Sequence, residues 1–199
     1  MQDFVKQFSK ESADAINNLP VGEINKALSI LHAAYERGAR IYVCGNGGSL
    51  ALATHFVADL NKTVFAAHLD KSTKRFQAIR LPSTESELTA WANDVGYDMV
   101  FAGPLKNYMQ EGDVLIAISS SGNSPNIIKA VELARAHQIE VIGFSGMDGG
   151  RLDELSDAKI KVETPKGAYE VVEGVHAVVL HMMVKYFKNY FTYLAHNER

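Results

Sequence analysis

Residues 41–49 read Ile-Tyr-Val-Cys-Gly-Asn-Gly-Gly-Ser, and residues 114–125 read Val-Leu-Ile-Ala-Ile-Ser-Ser-Ser-Gly-Asn-Ser-Pro. Each stretch opens as a short apolar run with no polar alternation and closes in a cluster of Gly, Ser and Asn. A helical pattern then follows, over Leu50 to Leu60 in the first case and Pro125 to His137 in the second. A strand that is apolar throughout is covered on both faces, and strands alternating with helices imply parallel crossovers. These two segments therefore predict a strand–loop–helix unit repeated in one sheet.

Working outward, Phe76–Leu81, Glu140–Phe144 and Ala158–Val162 read as further strands. Helices are expected over Glu85–Asn93, near Met99–Met109, and in a long closing segment from Ala168 to Leu194. Upstream, Phe4, Val5, Phe8, Ala13, Ile16 and Leu19 recur near the helical period and stop at Pro20. Ile24, Ala27, Leu28, Leu31 and Ala34 mark a second helix with Gly38 as its stop. The expected fold is α/β: a doubly wound, five-stranded parallel sheet sandwiched by helices. It forms a single domain over 1–199, with a two-helix extension (1–38) on a core (39–199), and ligands are expected at the carboxyl ends of the strands.

Composition narrows the function. The 199 residues carry 20 Lys plus Arg against 23 Asp plus Glu, a formal net charge of -3. A general nucleic-acid or anionic-membrane binder would carry a basic excess, so neither is expected. The single Cys44 excludes an internal disulfide and fits a reducing compartment. Met1–Lys6 lacks a basic region followed by an apolar run, and the most apolar stretch, Val171–Phe191, is broken by Glu173, His176, His181, Lys185 and Lys188. A cytoplasmic location is expected.

Gly45–Ser49 lets a backbone approach a ligand closely at a helix N-terminus. It is neither a dinucleotide fingerprint nor a P-loop, so it is read either as a ligand loop or as a tight turn with Ser49 as N-cap. The run Ser119, Ser120, Ser121 and Ser124 offers hydroxyls and N–H groups able to encircle a phosphate without Lys or Arg; a polar turn with an ordinary cap would explain Ser124 but not the three earlier serines. Ser124–Pro125 is a strong helix start. The segment Arg80–Ser83 supplies no acidic ribose ligand, so no nucleotide cofactor is expected and a smaller phosphorylated ligand fits better. His55 and Asp59, four apart, share one helix face and can hold a metal, couple as acid and base, or form a solvated pair. On the final helix, His176 lies three after Glu173 and is a candidate partner for it. Glu173 and His181 are eight apart, about 12 Å along the axis, and meet only by reaching toward each other or if the helix is irregular at Glu173. Cys44 is read as an inert core thiol.

Taken together, Cys44 to Ser49, His55 through Asp59, Ala92-Asn93-Asp94, Ile118 through Ser124 and Val175-His176 through His181 resemble the sugar isomerase (SIS) domain family, in its phosphoheptose isomerase branch. The resemblance covers nearly the whole chain. It implies an aldose–ketose isomerase that converts sedoheptulose 7-phosphate to glycero-manno-heptose 7-phosphate through an enediol. Ser119, Ser120, Ser121 and Ser124 match the phosphate-binding serines. Asn46, Gly47, Gly48, Ser49, Asn93, Asp94 and Glu173 fall in the implied substrate-binding set. Asp59 and His181 correspond to the catalytic pair, and His55, Asp59, Glu173 and His181 to a divalent-metal site suited to zinc. The branch is homotetrameric, with active sites between subunits. Two positions depart from it: Asp59 stands where Glu is usual and Glu173 where Gln is usual. An added carboxylate is expected to hold a divalent cation more firmly. Two other readings stay open: an isomerase for another sugar phosphate, and a non-catalytic relative that binds a replication-initiation protein.

Overall fold

The computed structural model describes residues 1–68 and 74–197. Five strands form one parallel sheet: β1 (Arg40–Gly45), β2 (Gln77–Arg80), β3 (Val114–Ser119), β4 (Glu140–Gly146) and β5 (Ala158–Val162), in the spatial order β2-β1-β3-β4-β5. The helices are α1 (Gln2–Asn17), α2 (Val21–Arg37), α3 (Gly48–Asn61), α4 (Glu85–Asp94), α5 (Ala102–Tyr108), α6 (Pro125–Ala136), α7 (Gly150–Leu155) and α8 (Tyr169–Asn197). The expected α/β class, strand count and two-helix extension are all present.

Side-chain alternation along the strands builds two cores. Ile41 and Val43 of β1, with Val114, Ile116 and Ile118 of β3, face α2, α3 and α8. Tyr42 and Cys44, with Leu115 and Ala117, face α5, α6 and α7. All these residues are buried, so neither face of the central strands sees water. That is the physical reason these strands read as continuous apolar runs. Gly38 ends α2 in the left-handed conformation, as its position predicts.

Two local expectations change, and one helix is new. The helix expected near Met99–Met109 is a short 3-10 turn at Tyr97–Met99 followed by α5. The ring of Trp91 lies against Gly103 on α5, where a β-carbon would come within 2.6 Å of it. The helix α7 carries too little periodicity for detection in sequence. Ser49 is not a cap: α3 begins at Gly48 with Gly47 as N-cap at φ +52°, and Ser49 is buried inside the first turn.

The long helix α8 is buried largely by its own chain. Val175, Val179, Leu180, Met183, Val184, Phe187 and Phe191 are buried within the chain's own core. What faces outward is a stripe of His181, Met182, Lys185, Tyr186 and Tyr193. Phe4 and Val5 of α1 are exposed as well. No helix among the described residues is long and apolar enough to cross a membrane.

His176 is fully buried, and it pairs with a backbone carbonyl rather than with Glu173. Its Nε2 donates to Ser145 O at 2.9 Å, which leaves Nδ1 bare and without a hydrogen-bond partner among the described residues. Burial pulls its pKa down to about 4, partly offset by the bond to Ser145. The imidazole is therefore neutral in the fold, while the unfolded chain takes a proton near pH 6.5. Between these values the unfolded state binds more protons. Stability should thus fall as pH drops from about 6.5 to 4, by up to about 3 kcal/mol. Denaturant midpoints measured across this range should slope less steeply in His176→Asn than in the parent. Equal slopes would refute the assignment.

Candidate functional site

The strand order changes direction between β1 and β3, because the chain leaves β1 for β2 on one side and later enters β3 on the other. The two loops that follow these strands therefore diverge and open a crevice at the carboxyl edge. Gly45 and Ile118 are register partners, so residues 46–49 and 119–124 begin side by side. The two loops singled out in the sequence are neighbours in space.

The serine loop is tightly built. Gly122 N donates to Ser119 O at 2.8 Å, and Gly122 itself sits at φ +65°. Ser119 Oγ donates to Ser124 Oγ at 3.2 Å. Ser124 is the N-cap of α6, as expected, but its hydroxyl faces Ser119 instead of a helix N–H. Ser121 Oγ accepts from Asn123 N at 3.3 Å. Ser120 Oγ is buried without a hydrogen-bond partner among the described residues. A buried hydroxyl left unpaired costs free energy that an arriving acceptor recovers. The loop thus gathers four hydroxyls at the N-terminus of a 12-residue helix, and one of them is unsatisfied.

Asn46, on the glycine loop, is held by neighbours. It exchanges two 2.9 Å hydrogen bonds with Asn126 of α6, and its Oδ1 also accepts from Tyr97 OH at 3.1 Å. Asn93 and Asp94 are exposed at the end of α4, with Asn93 Nδ2 donating to Asp94 Oδ1 at 2.7 Å. Tyr97 follows directly from that helix end, so it links the Asn93–Asp94 segment to the glycine loop.

The ionisable group lies elsewhere. His55 Nε2 is 3.4 Å from Asp59 Oδ2 on α3. The ring of His181 on α8 stands edge-on to that of His55, with centroids 5.1 Å apart. Ligand atoms of His55, Asp59 and His181 all lie within 4.8 Å of one another. Two imidazole nitrogens and a carboxylate are donor types that suit a divalent cation of the zinc class.

Glu173 does not join this group. Its carboxylate lies against the start of α3, where a β-carbon on Gly48 would come within 2.9 Å of Glu173 Cδ. The reason is helical step. The helices α3 and α8 pack alongside each other, with Glu173 level with Gly48 and His181 level with His55. Eight residues of regular helix put Glu173 about 12 Å from His181 along the axis. The expected four-ligand set is three ligands within one chain, and Glu173 becomes an acidic neighbour of the glycine loop.

The same step separates the Asp59–His181 pair from the glycine loop. From Gly48 to Asp59 is eleven residues, about 16 Å of helix leading away from the carboxyl edge. The glycine loop that opens α3 and the Asp59–His181 pair are therefore set apart within a single chain.

Cys44 is buried at the end of β1, where desolvation pushes its thiol up to about 12. A thiol so far above neutral pH is not a nucleophile, as expected. The sequence gives Asn126 no site role and reads Tyr97 as a packing or interface aromatic, whereas both bond to Asn46. Asn126 sits in the first turn of an ordinary helix, and Tyr97 is one of several surface tyrosines.

Residues 3–146 match the model of the SIS domain. A phosphoheptose isomerase of Edwardsiella ictaluri is 35% identical over 190 residues, covering 92% of this chain and 94% of the relative. A probable phosphoheptose isomerase of Thermoplasma acidophilum is 35% identical over 178 residues, covering 89% and 94%. Among solved structures, the phosphoheptose isomerase from Neisseria gonorrhoeae superposes with a TM-score of 0.82 at 30% identity, covering 94% of this chain and 98% of that one. The enzyme from Francisella tularensis gives 0.81 at 26% identity, covering 94% and 96%. The crevice, its paired loops and the histidine–aspartate group all stand on this shared sheet, and the chain belongs to the SIS domain family, among the phosphoheptose isomerases.

Proposed function

We propose that the protein is a phosphosugar isomerase that interconverts sedoheptulose 7-phosphate and glycero-manno-heptose 7-phosphate. The observation that carries the reading is the convergence of Asp59 and His181, from separate helices, on one exposed cluster. An aldose–ketose isomerase must take a proton from C1, hold an enediol, and return a proton to C2. Asp59 is the base that removes the C1 proton and redelivers it at C2. His181 donates to the carbonyl oxygen at C2 as the enediol forms, then takes the proton of the O1 hydroxyl as the C1 carbonyl forms. Ser119, Ser120, Ser121 and Ser124 bind the phosphate, and Asn46, Gly47, Gly48, Asn93 and Asp94 meet the sugar chain. Glu173, beside Gly48, belongs with this second group.

A divalent cation of the zinc class suits His55, Asp59 and His181. When bound it supplies Lewis-acid polarisation of the sugar carbonyl. Retention of an acid at 59 and of His181 favours catalysis over an adaptor role. Proton exchange in deuterated water, run on a panel of ketose phosphates, tests the reading. Isotope should enter at C1 of the seven-carbon ketose; its absence with every sugar would refute an isomerase.

The separation of about 16 Å along α3 supports an oligomer in which one chain's serine loop faces another's Asp59 and His181. The exposed Met182, Tyr186 and Tyr193 on α8, with Phe4 and Val5 on α1, are the apolar surface such an assembly would cover. Two inactive variants, Ser119→Ala/Ser124→Ala and His181→Ala, should recover part of the activity when assembled into mixed oligomers. A monomer of 21.8 kDa in light scattering, or mixtures with no recovery, would count against shared sites.

A further inference from the structure

We propose that Asn126 is a positioning residue for sugar binding, which acts by fixing the side-chain amide of Asn46. The inference rests on the reading of the crevice as a phosphosugar site. Asn126 is only 2% exposed, so its polar atoms must be satisfied inside the protein. Its Oδ1 accepts from the N–H of Ile127 at 3.0 Å, a backbone donor that cannot switch roles. This fixes which end of the Asn126 amide is oxygen. Its Nδ2 is then the donor to Asn46 Oδ1, and Asn46 Nδ2 is the donor back to Asn126 Oδ1, both at 2.9 Å. One backbone N–H thus dictates the orientation of two side chains.

The consequence falls on Asn46. Its oxygen is occupied by Asn126 and by Tyr97 OH, so it is not available to a ligand's donor. Its nitrogen carries two hydrogens, one engaged with Asn126 and one left over. Asn46 is therefore presented to the crevice as a hydrogen-bond donor, suited to a sugar hydroxyl or carbonyl oxygen. The triad Tyr97–Asn46–Asn126 also ties together the three segments that carry the proposed sugar contacts. These are the glycine loop, the stretch after Asn93–Asp94, and the helix that follows the serine loop. Tyr97 is anchored in turn, because the adjacent Asp98 is ion-paired with Lys129, one turn along α6 from Asn126.

A double-mutant cycle tests the proposal, with sedoheptulose 7-phosphate as the probe in calorimetry and in kinetics. Asn126→Ala should weaken binding about tenfold in the parent, and by less than twofold in an Asn46→Ala background. KM should carry the loss, with kcat changed less than threefold. Asn126→Asp keeps the size and the acceptor for Ile127 but sets oxygen against Asn46 Oδ1. It should weaken binding at least as much as Asn126→Ala, and a circular dichroism spectrum like the parent's shows that it folds should Asn126→Ala fail to. Equal losses in both backgrounds, or unchanged affinity in Asn126→Asp, would overturn the proposal. A parent that binds the probe without turning it over would defeat the isomerase reading and leave the binding cycle decisive. A parent that binds no sugar phosphate would defeat both.

Discussion

Replacing Asp59 with Asn, or His181 with Ala, should lower turnover by about 10²–10⁴-fold, the usual contribution of a general acid or base. Phosphosugar affinity should change little, because the phosphate is held by the serine loop and neither side chain supports that loop. The substitution Asp59→Asn is nearly isosteric and keeps one oxygen beside His55, so a folding defect is not expected to mask the result. His55→Ala should chiefly reduce the metal content of protein purified without chelator, measured by elemental analysis. Full activity in Asp59→Asn would show that another group removes the proton. Unchanged metal content in His55→Ala would remove the metal from this cluster.

The second large effect is structural and falls on the phosphate loop. Gly122 lies at φ +65°, and a β-carbon there would overlap the carbonyl oxygen of Gly149 and come within 2.6 Å of its carbonyl carbon. Both neighbours are backbone, so no side chain can swing away. Leu152 N also donates to Gly122 O at 2.9 Å, tying the serine loop to α7. Gly122→Ala should therefore cost about 3–5 kcal/mol, combining left-handed strain with displaced backbone. It should also remove phosphate binding. Gly38→Ala is the control. That glycine is also left-handed, at φ +71°, but it has open space around it, so only the strain of about 1–2 kcal/mol applies. Denaturant unfolding of the two variants separates backbone overlap from backbone strain. Equal losses would mean that the Gly149 contact is relieved by local movement.

Local features of the chain survive folding unchanged. The apolar runs at 41–44 and 114–118 determined the central strands, because strands covered on both faces admit no polar alternation. The spacing of His55 and Asp59 determined their contact, since four residues along a helix bring side chains together wherever the helix lies.

Other relations depend on how separate helices sit against one another, and these only the tertiary structure decided. Nothing near His181 in sequence shows that it meets His55, or that Glu173 stops at Gly48 instead of reaching the same cluster. Both follow from the alignment of α8 along α3, which the packing of buried Phe56 and Leu60 on α3 against Val179 and Met183 on α8 helps to set. His176 pairs with a strand carbonyl for the same reason: its helix presents that face to β4. Asn126 is eighty residues from Asn46 and looks like any polar residue in a first helical turn. Its role exists only because β1 and β3 are neighbours in the sheet. A helix dictates contacts three and four residues apart, whereas contacts between helices are fixed by side-chain packing across the whole core.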